Sequence, residues 1–234
     1  MSLPEVVSRE EWLVARKALL AKEKALTRAR DALNTERREL PMVRIDKDYV
    51  FDGPAGKALL LDLFEGRSQL ILGHFMFDPS WDAGCSSCSA GADEVSEGLV
   101  RHLAVRDTSM AFVSRAPLAK IEAYRKRMGW RFPWVSSGGS DFNFDYQVSY
   151  TPDQLAGDGV YHNYKTQPMK VSEQVGISAF YRNARDEVFH TYSCYGRGVE
   201  AVNGTYHWLD LAPKGRDEDG LAYPMEWVRR HDQY

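Results

Sequence analysis

The chain has 234 residues, enough for one sizeable α/β domain with appendages or for two small domains. Apolar residues make up 44%, charged residues 27%, and the formal charge is −3, so neither a nucleic-acid backbone nor an anionic membrane is favoured as a partner. No apolar run approaches the ~18 residues of a membrane helix, and the first residues lack a basic region followed by an apolar stretch. A cytosolic protein is expected. Three cysteines are too few for a disulfide scaffold, and in a reducing compartment a close pair is more often redox-active or metal-binding than structural.

Ser8 and Glu11 have the spacing of a capping box, and the residues up to Pro41 read as one long charged helix. Trp12, Leu19, Leu26 and Leu33 recur every seven residues, supported mainly by alanines. That thin stripe suits a helix covering its own domain or, equally, an arm packing on another subunit as a homodimer. Residues 43–45 and 49–51 read as a hairpin ahead of a turn at Gly53-Pro54-Ala55-Gly56, and 59–64 as a short amphipathic piece. The run 69–77 is nearly continuous in apolar residues, as in a central strand covered on both faces.

A loop over 78–84 leads into Cys85, and 90–103 reads as helical despite Gly91 and Gly98. A second core strand at 109–113 precedes a helix from Pro117 to Met128, stopped by Gly129. This alternation of strands and helices predicts a sheet with parallel members and right-handed crossovers. A short strand at 132–135 is followed by loop to about residue 172, with strands at 177–181 and 187–192 forming an antiparallel hairpin. A closing helix is expected within 196–211 and a short one at 225–230.

The residues with the clearest chemistry are Cys85-Ser86-Ser87-Cys88, between a strand and a helix. A helix N-terminus offers unpaired N–H groups and a positive dipole end, which favours thiolate at Cys85. The three-residue spacing puts both sulfurs within disulfide reach, with Cys85 at the tip as nucleophile and Cys88, a turn deeper, as the resolving thiol. Ser86 and Ser87 are small hydroxyls able to hydrogen-bond a thiolate. Zinc sites share the spacing, yet no second half-site accompanies the pair: Cys194 is alone and the six histidines are scattered. The expectation is therefore no metal and no cofactor.

Phe75-Met76-Phe77, Trp81, the residues from Gly84 to Ser89, Val113-Ser114-Arg115-Ala116-Pro117-Leu118, Tyr124, the run 129–137 and the stretch 215–220 together resemble the bacterial thioredoxin-like family catalogued as domain of unknown function 899. The match covers roughly Leu40 to Tyr234. It implies a thioredoxin-like α/β fold, a central mixed sheet flanked by helices. The order of elements along the chain then reads as a helical arm over 1–40, the core domain over 41–212 and an extension over 213–234 packing on it. The strand at 69–77 and the Gly84-Cys85 loop also look like the peroxidatic loop of peroxiredoxins. That pattern wants Pro seven residues and Thr or Ser three residues before its cysteine, where this chain has Asp78 and Asp82. Thioredoxin-like enzymes also carry a cis-proline before the final hairpin, and Glu173-Gln174-Val175-Gly176-Ile177 offers none.

Around the dithiol, Trp81 is placed to shape the thiol pocket, Asp82 to tune Cys85, and Gly176 and Ile177 to stand where substrate backbone would dock. Arg115 and Arg131 read as surface ion pairs, His74 as a hydrogen-bonded core histidine, and Asp217-Glu218-Asp219 as a solvated or arginine-paired turn. The aromatics between Trp130 and Tyr146 read as a covering flap. The function expected is thiol-disulfide exchange on a disulfide or oxidised-thiol substrate, with a cellular dithiol as reductant. A peroxidase using Cys85, or a non-catalytic binding module with an aromatic lid, are the alternatives.

Overall fold

Ser8 and Glu11 cap each other's backbone: the Ser8 Oγ accepts from the Glu11 N–H at 3.2 Å, and the Glu11 carboxylate accepts from the Ser8 N–H at 3.0 Å. From this box α1 runs over Arg9–Glu39 in the computed structural model, which describes residues 4–234, and it stops ahead of Pro41, whose ring disfavours a helical preceding residue. No residue of α1 is buried. The helix therefore does not cover its own domain.

Ten strands follow: β1 (Val43–Arg44), β2 (Val50–Gly53), β3 (Gly56–Leu59), β4 (Gln69–His74), β5 (Thr108–Ser114), β6 (Trp134–Ser136), β7 (Val160–His162), β8 (Lys165–Gln167), β9 (Gly176–Arg182) and β10 (Val188–Tyr195). Among the described residues, eight of them form one sheet in the order β1-β10-β9-β4-β5-β6-β2-β3, and β7 and β8 pair separately. Strands β4, β5 and β6 are mutually parallel, with Gly73 opposite Phe112 and His74 opposite Val113; β9 runs antiparallel to β4 and to β10. The order β5-β4-β9-β10, with a parallel first pair and an antiparallel closing hairpin, is the thioredoxin-like core expected from the sequence.

The helices are α2 (Ser86–Asp93), α3 (Glu97–Ala104), α4 (Leu118–Arg127), α5 (Phe142–Asp145), α6 (Pro152–Ala156) and α7 (Gly204–Leu209). Alternation along the strands separates two cores. Leu70, Leu72, Ala111, Val113, Val135 and Phe180 face one side, covered by Phe64, Phe142, Tyr146 and Val148. Phe75, Phe112 and Trp134 face the other, covered by Ala92 of α2 and by Ile121 and Tyr124 of α4. Gly73 has no room for a side chain, because a Cβ there would lie 2.5 Å from the Phe112 ring.

Several local expectations fail. Residues 43–45 and 49–51 do not pair with each other: β1 adds to β10 at one sheet edge, and β2 joins β3 and β6 at the other. The lone turn at Gly53 and Gly56 instead connects β2 to β3, because Val50 finds its partner in Leu59. The helix expected over 90–103 is two, broken where Ser96 caps α3 by accepting from the Leu99 N–H. Residues 196–211 likewise split into a 3-10 turn over Gly196–Val202 and α7, which Asn203 caps. The stretch 136–172, read as loop, holds α5, α6 and the β7–β8 hairpin. Residues 225–230 form no helix; a 3-10 turn occupies His231–Gln233.

The aromatic flap is also absent as a flap. Phe142 is fully buried and Tyr146 nearly so in the first core, while Phe132 and Trp134 are buried in the second with Trp130 packed against them. These rings fill the two faces of the sheet. Acting as core is what their polar, glycine-containing surroundings concealed.

Candidate active site

The strand β4 delivers the chain to the site, and the residues after it are pinned rather than loose. Phe75 donates its N–H to the Val113 carbonyl at 2.9 Å, Ala116 donates to the Phe77 carbonyl at 2.8 Å, and the Cys85 N–H returns to the Met76 carbonyl at 3.1 Å. Lys120 of α4 binds the carbonyls of Pro79 and Trp81 at 2.9 and 3.0 Å. Phe75 and Phe77 anchor the loop in the second core, with Trp81 packed against it.

Cys85 is the N-terminal cap of α2, and Cys88 lies one turn in. Both are free and half-buried, so neither stands on an exposed tip. The two thiols have diverged in acidity. Cys85 is pushed down to about 6, chiefly by the hydrogen bond its thiolate accepts from the Cys88 thiol, against burial; the N–H groups of Cys88 and Ser87 and the Arg230 charge reinforce it. Cys88 is pushed well up, because it is the donor in that bond, because it is buried, and because the Cys85 and Glu173 charges oppose its ionisation.

A second set of contacts braces the loop from the far end of the chain. Arg230 donates to the Gly84 carbonyl at 2.6 Å and to the Tyr124 hydroxyl at 2.9 Å. Tyr124 in turn shares a 2.8 Å bond with Ser89, whose hydroxyl donates to the Cys85 carbonyl at 2.7 Å. Beside the site lies a buried ionic cluster: Arg115 bridges Glu173 at 2.6 Å and Asp78 at 2.9 Å, Ser149 donates to Glu173 at 2.8 Å, and Ser172 and Ser80 donate to Asp78 at 2.9 and 2.7 Å. Burial pushes Glu173 up to about 7, against the opposing pull of Arg115 and Ser149. Among the described residues, no three side chains of the metal-binding types come together, and no helix is long and apolar enough to cross a membrane.

Residues 1–234 match the family described as bacterial protein of unknown function (DUF899). The chain belongs to this family. No curated protein matches it. Among solved structures, this DUF899 protein is similar to a cysteine-to-serine mutant of Xanthomonas campestris peroxiredoxin Q at 12% identity, over 68% of this chain and 90% of that one, with a TM-score of 0.45. It is also similar to peroxidoxin BcpB of Mycobacterium tuberculosis at 13% identity, over 71% and 94%, with a TM-score of 0.43. A yeast mitochondrial 1-Cys peroxiredoxin matches at 14% identity, over 80% and 83%, with a TM-score of 0.41.

Cys85, Ser86, Ser87 and Cys88 open α2, Trp81 and Cys88 pack against the second core, and Asp82 is exposed. Gly176 and Ile177 open β9, paired with Tyr195 and Cys194 on one side and His74 and Gly73 on the other. The segment leading into β9 also carries Glu173, whose charge opposes ionisation of Cys88. Arg131 makes the exposed pair expected of it, with Glu97, and His74 is a core histidine bonded to Ser178 at 2.8 Å. Arg115 is no surface pair, since its partner Glu173 is 1% exposed. Glu218, in the stretch read as a solvated or arginine-paired turn, accepts from the Tyr206 hydroxyl, the Trp227 indole and the Met225 N–H and so ties the tail together. Sequence reasoning gave Arg230, Glu173 and Ser89 no role at the dithiol. The first two lie far along the chain from the cysteines, and no local pattern announces them.

Proposed function

We propose that this DUF899 protein is a thiol-disulfide oxidoreductase in which Cys85 attacks and Cys88 resolves. The observation that carries this reading is the split within the dithiol, with Cys85 held down to about 6 at the start of α2 and Cys88 pushed up. Near neutral pH the first thiol is then a nucleophile and the second keeps its proton until it is needed.

The Cys85 thiolate attacks one sulfur of a substrate disulfide, forms a mixed disulfide and releases the other sulfur as a thiolate. The Cys88 thiol loses its proton and attacks the Cys85 sulfur. The Cys85–Cys88 bond forms and the second substrate thiolate departs, so two electrons have passed to the substrate and the disulfide bond has passed to the Cys85–Cys88 pair. A cellular dithiol, such as a reducing cytosol supplies, returns the pair to its starting state.

The peroxidase alternative would use the same Cys85 thiolate. Asp78, committed to Arg115, and the exposed Asp82 stand where that chemistry wants a proline and a hydroxyl. The binding-module alternative loses its lid to the core. Thiol labelling with mass spectrometry tests the dithiol: a reversible Cys85–Cys88 disulfide and fast alkylation of Cys85 at neutral pH are expected. No reversible disulfide, together with ordinary alkylation of Cys85, would end this reading.

A further inference from the structure

Along β9 and β10 one face of the sheet is closed and the other open. Ser178, Phe180, Val188, Ser193 and Tyr195 are buried against the first core, while the residues between them are only half-buried. The register sets Ile71, Ala179 and Tyr192 side by side across β4, β9 and β10, with Ile177 beside Cys194, and Phe189 completes the strip. A β-bulge between His190 and Tyr192 keeps Tyr192 and Cys194 on this open side. Helix α3 packs on β5, and among the described residues the cover over β9 and β10 comes from the 3-10 turn Gly196–Val202, with Gly198 against Cys194, which leaves the rest of the strip open.

The same chain carries a helix with an unpartnered apolar stripe. In α1, Trp12, Leu19, Leu26 and Leu33 are 48%, 51%, 71% and 53% exposed. Beside them Ala18, Ala25 and Ala32 leave room for close approach to a flat surface. A free-standing helix is marginal in water without tertiary packing. The described contact between α1 and the open face is at its last turn, where the Arg37 guanidinium lies 4.9 Å over the Tyr192 ring. Three residues, 40–42, then lead into β1, leaving little slack for the helix to fold back over its own sheet.

We propose that two copies of this chain form a reciprocal dimer, with α1 of each laid along β9 and β10 of the other. The dimensions agree: the stripe from Trp12 to Leu33 spans about 32 Å of helix, and the eight residues of β10 span about 27 Å. Two such arms, each covering roughly 30 by 10 Å, bury on the order of 1,200 Å², the lower end of what a stable dimer requires. Charge also agrees. Nine basic and six acidic side chains make α1 net positive, in a chain whose total is −3, so the remaining body is acidic. Each surface patch meets its counterpart twice, as two-fold symmetry demands.

Sedimentation and light scattering of the full chain test this, with Leu26→Glu in the arm and Ala179→Glu on the open face. The expected result is a dimer at micromolar concentration and a monomer in each variant. A monomeric wild type overturns the proposal, and so does loss of the dimer in Leu26→Glu alone, which would mean that helix pairs with helix. Should Ala179→Glu fail to fold, cross-linking decides. In a chain carrying Cys85→Ser, Cys88→Ser, Cys194→Ser, Ala25→Cys and Tyr181→Cys, the last at an exposed position on the face of Ala179, a bismaleimide should join Ala25→Cys to Tyr181→Cys between isotope-labelled and unlabelled copies. Cross-links confined to single chains, or none, would refute the arrangement.

Discussion

Arg230, four residues before Tyr234, donates to the carbonyl of Gly84 at 2.6 Å, immediately ahead of Cys85. The same guanidinium holds the Tyr124 hydroxyl, and its charge helps to lower the pKa of the Cys85 thiol. One side chain of the C-terminal tail thus braces the loop before the nucleophile and adds to the thiolate stabilisation that Cys88 chiefly supplies.

Replacing Arg230 by Met removes that charge and leaves a carbonyl without its partner. The pH midpoint of Cys85 alkylation should rise, and unfolding stability should fall by about 1–3 kcal/mol. Arg230→Lys keeps the charge and loses the fork, so it should recover part of the midpoint and little of the bracing. An unchanged midpoint in Arg230→Met would remove Arg230 from the site.

The pH dependence of Cys85 follows from its own shift. With its pKa at about 6, the thiolate fraction rises from acid through pH 6 and is nearly complete by pH 8. Alkylation rates should follow that curve, while Cys194, which burial pushes up, stays slow over the same range. Cys88→Ala deletes the thiol that donates to the Cys85 thiolate, and the Cys85 midpoint should move up by roughly one unit. A midpoint indifferent to Cys88→Ala would mean that the two sulfurs do not share a proton.

Much of this was legible in the sequence. The apolar run of β4, the helix after Pro117 and the hairpin of β9 and β10 each satisfy their own local pattern, so the thioredoxin-like core could be read directly. The Ser8–Glu11 cap was equally plain. What escaped depends on contacts far apart in sequence: β1 and β2 are neighbours in the chain and lie at opposite edges of the sheet, because Val43 pairs with His190 and Val50 with Leu59. Arg230 and Glu173 meet the cysteines only once the chain has folded. Phe142 and Tyr146 looked like a lid because a buried ring and an exposed one have the same spelling.

Glu173 offers a different handle on the second thiol. Its carboxylate accepts from Ser149 and Arg115, so Glu173→Gln keeps a group of the same shape there while removing the negative charge that opposes Cys88 ionisation. In a Cys85→Ser background, the Cys88 alkylation midpoint should therefore fall on adding Glu173→Gln. Because the folded chain holds the Glu173 proton up to about 7, against 4.5 when unfolded, its contribution to stability is present below pH 4.5 and is lost as pH rises through 7. The stability of wild type relative to Glu173→Gln should decline over that window by about 3 kcal/mol, and a flat difference would contradict the assigned ionisation.

Gly84 joins packing to chemistry. A Cβ at this position would lie 2.5 Å from Cε1 of Phe75 and 3.0 Å from Cε1 of Tyr124. Phe75 is 2% exposed and wedged among Phe112, Trp130 and Trp134, so its ring cannot withdraw. The backbone has to move instead, and with it the carbonyl that Arg230 holds and the residue that follows, Cys85. Gly84→Ala should cost about 1–3 kcal/mol of stability and raise the Cys85 midpoint in the same direction as Arg230→Met, the two changes combined giving less than their separate effects. Gly139→Ala, where an added methyl meets nothing within 4 Å, serves as the control and should stay within roughly 0.5 kcal/mol of wild type. Denaturant unfolding and alkylation against pH read both quantities, and a Gly84→Ala protein with wild-type values of each would show that the loop is not held by this contact.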